Sequence, residues 1–127
     1  MKFKDLRKAR KDAIEKEERL DRERQARANV FKRFVSDIHL YIMCIYGTYP
    51  IDPAKPEITP ERVASFTNIR ADILYDLERM KELNMEVNEK VAIIVNSASL
   101  SDFTCLEDCE KYIKTLESAC RTIIMYY

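Results

Sequence analysis

One helical register runs unbroken through the first third of the chain, and it fixes most of what the chain can become. Stepping by alternating threes and fours from Phe3 gives Leu6, Arg10, Ala13, Glu17, Leu20, Arg24, Arg27, Phe31, Phe34, Ile38, Tyr41 and Ile45. This is the repeat of a single helix face, and a break between two helices would shift it. The spacing predicts one helix from Phe3 to Tyr46. Gly47, the only glycine, stands where a left-handed C-cap ends a helix without steric cost. At 1.5 Å per residue such a helix is about 65 Å long, far longer than a domain of this size can cover.

The two halves of that helix differ in what they can bury. From Phe31 onward every position of the stripe is apolar, as a core helix requires. Before Phe31, only Phe3, Leu6, Ala13 and Leu20 are apolar, and Arg and Glu separate them. Residues 1–29 therefore read as a charged, solvated arm continuous with helix one, and residues 30–127 as the bundle. Acid-before-base pairs at Asp12/Lys16, Glu15/Arg19, Glu18/Arg22 and Glu23/Arg27 are expected to support the arm by about 0.2–0.5 kcal/mol each. They give it nowhere to dock.

Three further helices follow. Residues 47–59 hold three of the four prolines and read as an extended connector. Thr59, Pro60 and Glu61 supply an N-cap, a first-turn proline and an acid at the positive end of the dipole. The helix they open carries Val63, Phe66, Ile69, Ile73, Leu77, Met80 and Leu83 on one face and stops near Asn84. A short helix, Glu89 to Ser99 with Asn88 as cap, takes in the run Val91–Val95; a strand there would have no partner strand. The last helix opens on Thr104 and Glu107 in capping-box spacing. Its seam is Leu106, Cys109, Ile113, Leu116, Cys120, Ile123 and Tyr127. The expected fold is all-α, a four-helix bundle-like domain with a long protruding N-terminal helix.

Charge is balanced overall, 22 basic against 22 acidic residues, but not along the chain. Residues 1–29 carry a net +4 and residues 30–127 a net −4, so each part could attract the other in a second copy or a separate partner. Lys2, Lys4, Arg7, Lys8, Arg10 and Lys11 surround the single acid Asp5. That cluster could meet nucleic acid or an acidic protein surface, although a charge-mixed solvated helix also accounts for it. The arm's apolar face is too narrow for membrane-surface binding. The longest run without acidic or basic residues, 38–51, is too short to span a bilayer. With no apolar leader block at the start, a cytoplasmic setting with reduced thiols is expected.

Little in the sequence points to chemistry. Cys44, Cys105, Cys109 and Cys120 form one loose pair rather than the two close pairs of a structural zinc site, so they read as small hydrophobes and no metal is expected. A glycine-rich phosphate loop is excluded, and one histidine defines no nucleophilic triad. Arg33 and His39, with five residues between them, resemble the Arg-x(4–6)-His signature of HEPN ribonucleases, which are also small helical bundles. The resemblance covers these two residues and the fold class. It implies RNA cleavage by Arg33 and His39. The chain departs from the family's pattern at Phe34, where a polar residue usually follows the arginine, and in carrying the motif on its first helix. Six steps of about 100° set the two side chains on different sides of the helix, so a site would need a second copy.

The sequence thus points to a non-catalytic assembly or adaptor protein. It would act through helix-mediated contacts with other proteins or with itself, as a component of a viral or phage structure or another large particle does. The expected docking residues are Phe3, Leu6, Ala13 and Leu20, and no cofactor or small-molecule substrate is implied. A nucleic-acid-binding protein using residues 2–11 and a HEPN-like ribonuclease are the alternatives.

Overall fold

A computed structural model describes residues 2–48, 58–103 and 105–126. Those residues form four α-helices and one 3₁₀ turn, with no strand among them: α1 (Phe3–Thr48), α2 (Pro60–Glu82), α3 (Glu89–Ser97), the 3₁₀ turn Leu100–Asp102, and α4 (Leu106–Tyr126). Helix α1 is continuous for 46 residues, as the unbroken register requires.

The expected C-cap at Gly47 does not form. No glycine has positive φ, and α1 runs on to Thr48. The Gly47 carbonyl, one of those left without an intrahelical partner at a helix end, accepts from the Arg62 guanidinium on α2. The left-handed residue is Asn84, with φ of 57°, where α2 stops. The Asn84 N–H donates to the Lys81 carbonyl at 3.0 Å and the Met85 N–H to the Met80 carbonyl at 2.9 Å, the paired bonds of a Schellman motif. The expected caps Thr59 and Asn88 are in place, accepting from the Arg62 and Lys90 N–H groups. Thr104, Tyr127 and residues 49–57 of the connector lie outside the described residues.

The core takes one stripe from each helix. From α1 it takes Val30, Phe34, Ile38, Tyr41 and Ile45, and Phe31 is half-buried against it. Helix α2 contributes Phe66, Ile73, Leu77 and Met80. Helix α4 contributes Cys109, Ile113, Leu116, Cys120 and Ile123. Two expected core positions, Val63 and Leu106, are exposed on the first turns of α2 and α4, one turn ahead of the first buried residue of each helix. Helix α3 is shorter than expected and buries Val91 and Val95, while Ile93 faces solvent. Its last expected residues turn instead into the 3₁₀ segment, whose entry is held by the Ser99 N–H donating to Asp102 Oδ2 at 2.9 Å.

An aromatic group joins the helices at the centre. Tyr41 stacks on Phe66 with centroids 5.1 Å apart, and Phe103 meets Tyr112 edge-on at 4.9 Å. The hydroxyls of Tyr41 and Tyr112 hydrogen-bond at 2.7 Å, and Tyr112 also donates to the Ile94 carbonyl at 2.9 Å. Both polar ends are therefore satisfied inside the core, as buried phenols require. Burial pushes both phenols above their ordinary range.

Candidate interaction surface

The arm stands outside the bundle. Every residue from Lys2 to Gln25 is exposed, and the first contacts begin at Ala26 and Arg27, which are half-buried. Arg27 Nε donates to the Leu83 carbonyl at 3.1 Å, fastening α1 to the C-terminus of α2 where the arm leaves. The four residues expected to dock a partner are all presented to solvent: Phe3 is 80% exposed, Leu6 51% and Leu20 38%, and Ala13 is exposed as well. The structure adds Ile14, 50% exposed, which the three-four stepping passed over because it sits one residue off the stripe.

Most of the arm's expected internal support is absent. None of the four acid-before-base pairs forms among the described residues. The arm's ion pair is Arg24 with Asp21 at 3.4 Å, an i,i+3 contact between exposed groups worth a few tenths of a kcal/mol at most. The six basic residues Lys2, Lys4, Arg7, Lys8, Arg10 and Lys11 are exposed along the first turns. None of them has an ion pair among the described residues, so their charge is open to a partner.

The apolar surface continues past the arm along α1. Val35, Leu40, Met43 and Tyr46 are exposed, although this half of the helix also feeds the core. Apolar side chains at Val35, Ile38 and Ile42, beside His39, border a groove between α1 and α4 whose far wall is Glu117, Cys120 and Arg121, with a volume of about 280 Å³. The second half of α1 is thus apolar on its outer side as well as on the side that feeds the core.

The residues suggestive of chemistry are dispersed. Arg33 points toward α2, 3.6 Å from Asp76 through Nε and over the Tyr75 ring at 5.7 Å. His39 borders the α1/α4 groove instead. The chain does not bring the two together. The four cysteines form no disulfide, and no three metal-ligating side chains cluster among the described residues. Cys109 and Cys120 are buried on the α4 seam, where burial raises both thiols, whereas Cys105 is exposed. Cys105→Ser should therefore leave the melting temperature unchanged. Cys109→Ala and Cys120→Ala should each cost about 1 kcal/mol through the cavity they open, read as a lower melting midpoint.

A second feature carries no sequence signal. Asp76 is fully buried between α1 and α2, and neither of its carboxyl oxygens has a hydrogen-bond donor; Asp37 Oδ2 is also buried without one. Desolvation, then the facing Asp37 carboxyl, push Asp76 up to about 8, against a partial offset from Arg33. A proton held between the two carboxyls makes the bond that both lack.

No helix among the described residues is long and apolar enough to cross a membrane. No family model matches the chain, and no curated protein or solved structure matches it either.

Proposed function

We propose that the chain is a non-catalytic assembly or adaptor protein whose N-terminal helix docks on another macromolecule, as a component of a large particle, viral or cellular. One observation carries the reading: a helical arm of 24 exposed residues, 2–25, leaves the bundle with large apolar side chains that no part of its own bundle covers. Fully burying a Leu or Phe contributes about 1.5–3 kcal/mol, so Phe3, Leu6, Ile14 and Leu20 together supply several kcal/mol to a complex. Lost translational and rotational freedom takes much of that, which favours multiple simultaneous contacts.

Leu6→Glu combined with Leu20→Glu should convert the native complex to the free chain without lowering the melting temperature, because both side chains lie outside the bundle. The mass of the complex isolated from its source is the readout. An unchanged mass sinks the reading. The open cluster from Lys2 to Lys11 supports a second reading, nucleic-acid binding. Retention on duplex DNA that falls steeply with salt and disappears when these six are changed to Gln would favour it.

A further inference from the structure

Resting on the arm as docking element, we propose that its partner is α1 of a second copy, paired antiparallel along its full length. The arm of each copy lies on the exposed apolar face of the other copy's residues 35–46. Two separate properties of α1 select this pairing.

The first is charge. Residues 1–11 hold six bases and one acid, residues 12–23 six acids and three bases, and residues 24–33 four bases and no acid. Parallel pairing would set like block against like. Antiparallel pairing with facing residue numbers that add to about 49 removes that clash and sets the acidic block 12–23 against residues 26–37, whose one base not engaged with α2 is Lys32. The second is shape. In that same register Phe3 falls beside Tyr46, Leu6 beside Met43 and Ile14 beside Val35, so exposed apolar side chains meet one another at both ends. Residues 7–11 of the basic cluster then run along the α1/α4 groove, whose far wall carries Glu117 and Arg121.

Area separates this arrangement from a shorter one. Arms pairing only with arms would also match basic residues 1–11 to acidic residues 12–23. They would overlap over about 36 Å, and at a contact width of about 10 Å this buries on the order of 700 Å² in all, the size of a casual contact. Full-length pairing overlaps over about 69 Å and buries on the order of 1,400 Å², within the range of specific interfaces.

Cross-linking of the full-length chain tests the register, in a background of Cys44→Ser and Cys105→Ser so that engineered thiols report. Arg24 lies at the two-fold axis, so Arg24→Cys should be captured as a covalent dimer by a short bis-maleimide. Leu6→Cys alone and Asp12→Cys alone should not, whereas Leu6→Cys mixed with Met43→Cys should. Self-capture at Asp12→Cys instead would show arm-only pairing, and self-capture at Leu6→Cys would show parallel pairing; either overturns the proposal. A chain that sediments at 15.0 kDa at every concentration also overturns it. That last result leaves the arm free to dock on a different protein, a reading that fails only when the Leu6→Glu/Leu20→Glu variant keeps the native complex intact.

Discussion

Leu116→Asp should abolish the cooperative thermal transition and leave a chain whose circular dichroism reports little helix at ambient temperature. Leu116 is completely buried at the middle of the α4 seam, between Ile113 and Cys120. The substitution removes a buried leucine, worth about 1.5–3 kcal/mol, and places a carboxylate where no cation reaches it, at a further cost of several kcal/mol. A domain of this size has on the order of 5–15 kcal/mol in total, so the sum consumes most or all of it. Leu106 supplies the control. It belongs to the same stripe in the sequence but is 41% exposed, so Leu106→Asp should change stability by no more than about 0.5 kcal/mol. If both variants melt like the parent chain, α4 is not packed through this seam.

Asp76→Asn should stabilise the fold, and more so as the pH rises. The Asp76 carboxyl is raised from its ordinary 3.8 to about 8 in the folded chain, so the folded state holds a proton that the unfolded state has released across that interval. Stability contributed through this group is fully present below about pH 4, is lost as pH climbs through the interval, and levels off above 8. One proton of difference corresponds to about 1.4 kcal/mol per pH unit, hence a loss on the order of 3–4 kcal/mol between pH 5 and 8. Asparagine keeps the shape, and its amide donates to Asp37 as the protonated carboxyl does. Urea denaturation at pH 5 and pH 8 checks this: the parent chain should lose stability between the two while the variant holds level. A variant weaker than the parent at pH 8 would mean that Asp76 is held as a carboxylate by Arg33.

Much of the architecture was legible because it follows from periodicity. The three-four register from Phe3 to Ile45 gave α1 as one helix, and the shift at Phe31 from interrupted to continuous apolar positions marked where burial starts. In the structure the first buried residue is Val30, and half-burial begins already at Ala26 and Arg27. Caps at Thr59 and Asn88 are local chemistry and were readable as such. The end of α1 was not, because a glycine admits the left-handed conformation without requiring it, and the carbonyl it would have capped is met by Arg62 from another helix. The Asp37–Asp76 pair was invisible for a similar reason. Each residue reads alone as a solvated acid, and only the packing of α1 on α2 buries Asp76 beside the half-buried Asp37. In the candidate surface, Phe3, Leu6, Ala13 and Leu20 were found by the stripe, while Ile14 and the outer face at Val35, Met43 and Tyr46 were not. A single-stripe reading assigns each helix one apolar side, and the second half of α1 has two.

The most direct test of the arm as the docking element is the sedimentation mass of the full chain against a chain lacking residues 2–25, at equal concentration and with both melts recorded. The cut falls before Ala26 and Arg27, the first residues that touch the bundle, so the truncated chain should keep its melting temperature. The full chain should sediment as an assembly and the truncated one as a folded monomer. A truncated chain that assembles to the same degree as the full chain would contradict this and move the interface onto the bundle itself.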